Sequence, residues 1–152
     1  MQSQQEPDFR QYRRNLPHWR ARGSAYFITW RLHRRQQPLC DAECDAVVQA
    51  LRFFDGKRYR LLAAVVMADH VHALVQPLEG ATPEATVHSW KTWTGRLMCR
   101  KFGRCAPVWQ DEYFDRVVRD QRELEATQAY IEGNPVRECS EGGEYPWLCR
   151  PA

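Results

Sequence analysis

The segment from Tyr59 to Pro77 constrains the chain most. It contains the longest wholly apolar run, Leu61–Ala68, eight residues. A bilayer crossing needs about 20, so no transmembrane helix is expected. Tyr59–Met67 instead reads as a strand of the buried type. Ala68-Asp69 reads as a tight turn and His70–Pro77 as the partner strand.

The other elements fall around this hairpin. Ser24–Leu32 (SAYFITWRL) is aromatic and β-branched, follows Gly23, and predicts a strand. Asp41 is placed to cap a helix with Cys44, Val47, Val48, Leu51 and Phe54 at three- and four-residue spacing, stopped by Asp55-Gly56. Thr82-Pro83-Glu84 starts a second helix. Val87, Trp90, Trp93 or Thr94, and Leu97 share its inner face, and Gly103 ends it. Val108–Arg119 contains a short strand. Asp120 and Glu123 begin a last helix, with Leu124, Thr127 and Ile131 inward. Asn134-Pro135 is expected to close it, because a residue before proline is pushed out of helical backbone.

The order strand, helix, strand, strand, helix, strand predicts an α+β fold. It is the ferredoxin-like βαββαβ arrangement, a four-stranded antiparallel sheet with helices on one face. An additional C-terminal helix carries Tyr130. At 152 residues, 43% hydrophobic and 27% charged, the chain suits one globular domain. Many functions use such a fold, so the residues must decide.

Net charge is only +3, but it is uneven. Arg10 to Arg35 holds eight arginines and no acid, and Lys91 to Arg104 holds five basic residues and no acid. Such stretches suit contact with phosphates, or else a solvated surface. Tyr12, His18, Trp19, Trp90 and Trp93 are interleaved with them, and such rings can stack on bases. Met1–Asn15 has no apolar stretch, so no secretory signal is expected and a cytoplasmic location is. The six cysteines form no C-x-x-C pair and read as reduced, small buried or surface residues.

His70 and His72 alternate on a strand, so both imidazoles leave one face while Val71, Ala73 and Val75 leave the other. That spacing lets one strand give two nitrogen ligands to a divalent metal. A bare His-x-His equally fits two polar residues on an exposed sheet face. Tyr130 and Asn134, four residues apart, share one helical face. A tyrosine can attack phosphorus, and an amide oxygen can ligate a hard cation. Alternatively, Tyr130 packs at the core edge and Asn134 ends the helix.

Taken together, these motifs have a known counterpart. The sequence resembles the single-tyrosine HUH transposases (histidine, hydrophobic, histidine), in the branch of REP-associated tyrosine transposases of bacteria. The resemblance is carried in order by Arg14–Trp19, Tyr26–Trp30, Val66–His72, Trp109–Arg116, Tyr130–Val136 and Tyr145–Trp147. It implies that His70 and His72 bind the metal, Mg²⁺ or Mn²⁺, and that Tyr130 is the nucleophile. Asn134 sits where related enzymes place a third metal ligand, often Gln. Tyr113 is the fallback nucleophile.

The implied reaction is metal-dependent cleavage and rejoining of single-stranded DNA at hairpins of palindromic repeats, through a 5′-phosphotyrosine. No ATP is needed, in keeping with the lack of a phosphate-binding G-x-x-x-x-G-K-[ST] loop. Candidate DNA contacts are Arg13, Arg14, His18, Trp19 and Arg20 in the arm, and Lys91, Arg96, Arg100 and Lys101 in the second basic stretch. The expected organisation is a basic arm (1–23), a catalytic domain (24–138) and a C-terminal tail (139–152). Relatives can act as homodimers, with the tyrosine used in its own chain or a partner's. Rival readings are a hairpin-binding protein without cleavage, a zinc-stabilised interaction protein using Cys40 and Cys44, and an enzyme acting on RNA.

Overall fold

The computed structural model describes residues 23–138 and 144–151. The expected hairpin is present. Strand β2 (Tyr59–Val66) pairs antiparallel with β3 (His70–Pro77), with Val65 opposite His72 and Val66 opposite Val71. On the other side of β3 lies β1 (Ala25–Leu32), which places Thr29 opposite His72 and Arg31 opposite His70. Strand β4 (Trp109–Val118) pairs with β1 and forms one edge. The histidine strand is therefore interior to the sheet, which fixes its backbone on both sides.

Four strands were expected, and the described residues form five, in the order β4-β1-β3-β2-β5. The fifth, β5 (Leu148–Cys149), pairs with β2. It takes up backbone groups that would otherwise be left open at the β2 edge, and Val66 N–H also donates to Trp147 O at 3.0 Å. A two-residue strand has no period to read, so pattern alone does not reveal it.

Helices α1 (Asp41–Phe53) and α2 (Pro83–Phe102) cover one face of the sheet. Val47, Leu51, Val87, Trp90 and Met98 pack there on Ile28, Trp30, Val71 and Ala73. Trp30 stacks on Trp90 at 5.5 Å and meets Trp109 edge-on at 6.1 Å. Helix α3 (Gln121–Glu138) covers the opposite face, with Ile131 and Leu124 on Phe27, Val65, Met67 and Leu74. The two histidines leave β3 on this second face. Among the described residues, no helix is long and apolar enough to cross a membrane.

Three local expectations change. Cys40, not Asp41, occupies the N-cap of α1, and its N–H donates to the Glu43 carboxylate at 3.1 Å. Of the alternatives Trp93 and Thr94, Thr94 lines the buried side of α2 and Trp93 is 49% exposed, and Met98 rather than Leu97 is the buried residue one turn on. A buried threonine is tolerable because its hydroxyl donates to Trp90 O at 2.7 Å and accepts from Trp109 Nε1 at 2.9 Å. Finally, α3 does not close at Asn134-Pro135 but continues to Glu138. The proline forfeits one helical hydrogen bond. Burial of both Asn134 and Pro135 offsets that loss.

Candidate active site

Alternation along β3 sends His70 and His72 toward α3, and neither is on an exposed sheet face. Their exposures are 5% and 3%. Their rings lie 4.8 Å apart. His72 also stacks on Phe27 at 5.4 Å. Both imidazoles are held through Nδ1. His72 Nδ1 is hydrogen-bonded to Thr29 Oγ1 at 2.6 Å, and His70 Nδ1 to the Asp69 carboxylate at 2.6 Å. A carboxylate only accepts, so the neutral His70 ring carries its proton on Nδ1 and leaves the Nε2 lone pair free. The Thr29 oxygen lets His72 adopt the same tautomer. Burial pushes the His72 pKa down to about 3, with smaller contributions from His70 and Arg31. His72 is thus a neutral imidazole at pH 7, ready to act as a ligand without first losing a proton.

Helix α3 completes the site. Tyr130 lies on its sheet-facing side, 5.7 Å from the His72 ring and 6.0 Å from the Phe27 ring, centroid to centroid. One turn later comes Asn134, 5% exposed. Together, Tyr130, Asn134, His70 and His72 line a cleft of about 370 Å³. Its other walls are Thr29, Arg31, Asp69 and Phe114. All four residues singled out for chemistry by the sequence therefore meet in one place. Two imidazoles and an amide oxygen are the donors able to hold a metal here. No group of three His, Cys, Asp or Glu side chains suited to a metal occurs among the described residues.

A model of the family described as IS200-like transposase matches residues 22–134. The chain belongs to the IS200-like transposase family. Solved structures agree with this at the level of fold. A REP-associated tyrosine transposase bound to a REP hairpin superposes with a TM-score of 0.68 at 17% identity, over 88% of this chain and 80% of the other. A candidate transposase from Deinococcus radiodurans R1 gives a TM-score of 0.55 at 23% identity, over 78% of this chain and 95% of the other. Comparison with curated proteins gives no match.

Other candidate residues of this IS200-like transposase lie elsewhere. Tyr113 is on β4 and packs toward the α1/α2 core, outside the cleft. Lys91, Arg96, Arg100 and Lys101 are on α2, across the sheet from the cleft. Arg96, Arg100 and Lys101 are solvent-accessible, whereas Lys91 Nζ donates to Gln110 O at 2.6 Å and Asp111 O at 3.0 Å. Arg104, in the same basic stretch, is paired with the buried Glu43. Arg13, Arg14, His18, Trp19 and Arg20 lie outside the described residues.

Sequence reasoning missed Thr29, Arg31, Asp69 and Phe114. The signal for Thr29 and Arg31 was present. They share the alternation of Phe27 along β1, and β1 pairs with the histidine strand.

Proposed function

We propose that this IS200-like transposase is a metal-dependent DNA transesterase that cleaves and rejoins single strands beside hairpins. Tyr130 is its nucleophile. One observation carries the reading: a tyrosine and an amide, one helical turn apart on α3, face two Nδ1-anchored imidazoles in the same cleft. The ordered motif matches and the fold shared with a REP-associated transposase support placing it in that branch, with hairpins of palindromic repeats as substrate.

The donor set fits a divalent cation. Two imidazoles, each fixed by a hydrogen bond at Nδ1, are characteristic metal ligands. The Asn134 amide oxygen adds the hard donor that Mg²⁺ or Mn²⁺ prefers. When bound, the ion supplies Lewis-acid polarisation of a non-bridging phosphate oxygen.

The chain's own groups do the rest. The Tyr130 ring packs edge-on against the stacked pair His72 and Phe27, which limits where its hydroxyl can point. The Tyr130 oxygen forms a bond to phosphorus as the bond to the 3′ oxygen breaks. The phenol proton leaves, and the departing 3′ oxygen ends as a hydroxyl. The DNA remains joined as a 5′-phosphotyrosine, and a second 3′ hydroxyl can reverse the step. One phosphodiester replaces another, so no external energy source is required.

The test is nicking of end-labelled single-stranded hairpin DNA with Mn²⁺, with Mg²⁺ and with EDTA. Cleavage only with metal is expected. Hairpins bound but uncut with both metals would reassign the protein as a hairpin-binding module.

A further inference from the structure

Arg31 and Asp69 are the charged residues lining the cleft, and the Asp69 carboxylate is hydrogen-bonded to His70 rather than to Arg31. Arg31 sits on β1 directly opposite His70 and lines the cleft with Tyr130, His72 and Asn134. Among the described residues it makes no hydrogen bond or ion pair. A guanidinium beside two imidazoles gains nothing from them, and it would be repelled by any cation they held. Arg31 is exposed to solvent at the cleft mouth, so an anion entering between these groups would meet guanidinium N–H donors that no acceptor among the described residues holds. The geometry points to Arg31 as a catalytic residue that binds a non-bridging oxygen of the scissile phosphodiester. The inference deepens the function proposed above and rests on it.

The chemistry suits the residue. A guanidinium presents paired N–H donors in a fixed fork that matches phosphate oxygens, and its charge persists at any working pH. The Tyr130 attack adds negative charge to the equatorial oxygens in the transition state. A donor aimed there gains strength as the reaction proceeds. Lysine, a point charge on a flexible stem, would replace only part of this.

The experiment uses the full chain and a pool of single-stranded hairpin oligonucleotides with randomised flanks. Those that become covalently joined to the wild type are collected and the joined linkage is mapped. Arg31→Gln is expected to bind these hairpins within a few-fold of wild type but to form the adduct about 10²–10³-fold more slowly. Arg31→Lys should recover part of the rate. A neutral methylphosphonate at the mapped linkage should slow the wild type strongly and Arg31→Gln little further. Adduct formation by Arg31→Gln at the wild-type rate overturns the assignment, and so does an equal methylphosphonate effect in both proteins.

A second readout needs no chemistry. The Arg31 Nε–H NMR signal, assigned by its loss in Arg31→Lys, should move saturably on titration with inorganic phosphate without metal. A signal that stays still overturns the phosphate contact. A moving signal in a protein that forms no adduct upholds the contact and removes the transesterase reading instead.

Discussion

The rings of His72 and Tyr130 lie 5.7 Å apart, although one sits on an interior strand and the other on the last helix. The contact links the two halves of the site. The strand sets the histidines' direction, and the packing of Ile131 sets the roll of α3 that turns Tyr130 toward them. Replacing both histidines tests this arrangement first. His70→Ala and His72→Ala are each expected to lose tight Mn²⁺ binding in an EPR titration and to lose metal-dependent cleavage. Full activity in either variant would remove the histidines from the site.

Thr29 acts through His72. Thr29→Val keeps the shape but leaves Nδ1 of a buried ring without its partner at 2.6 Å. Loss of such a supporting hydrogen bond weakens metal binding by roughly 10–100-fold. The same Mn²⁺ titration should show that drop, beside a stability loss of about 1–3 kcal/mol for the orphaned buried nitrogen. Unchanged affinity would mean that the ring is held by Phe27 and the strand alone.

Much of this site was legible in the sequence because it follows local rules. Alternation put His70 and His72 on one face, and helical spacing put Tyr130 with Asn134. What the sequence did not reveal depends on pairing between distant segments. Thr29 and Arg31 enter the cleft only through the β1–β3 register. Spacing left Trp93 and Thr94 as alternatives on the α2 interior, and the hydrogen bond from Trp109, fifteen positions away, goes with Thr94. β5 joins the sheet with only two residues. Pro135 misled by its usual meaning, since tertiary burial carried the helix through it.

Glu43 makes acid stability a separate test. Burial alone would raise its carboxyl pKa, but hydrogen bonds from Arg104 and the Cys40 N–H hold it below the ordinary 4.5. Arg104 Nη2 donates to it at 2.7 Å and also reaches Pro38 O at 3.0 Å, tying the end of α2 to the start of α1. A carboxyl whose folded pKa is lowered stabilises the fold fully above its unfolded pKa and progressively less as pH falls through the folded value. Glu43→Gln should cost about 1.5–3 kcal/mol at pH 7. Urea melts should show the gap to wild type narrowing below pH 4.5. A gap that does not change with pH would contradict a charged pair.

Tyr59 ties α1, α2 and the sheet together. Its hydroxyl donates to Leu51 O at 2.5 Å and accepts from Trp90 Nε1 at 3.0 Å. Burial pushes the phenol pKa up to about 12. Tyr59→Phe orphans a buried carbonyl and a buried indole N–H, so a loss of about 1–3 kcal/mol is expected in the same melts. A loss near zero would mean that both groups find other partners.

The account depends most on Tyr130 as the atom that joins DNA. Wild-type protein and Tyr130→Phe are mixed with end-labelled single-stranded hairpin DNA and Mn²⁺, resolved under denaturing conditions, and the joined peptide is identified by mass spectrometry. The account predicts a metal-dependent adduct on the peptide containing Tyr130 and none in the variant. An adduct that persists in Tyr130→Phe, or that maps to Tyr113, would contradict it.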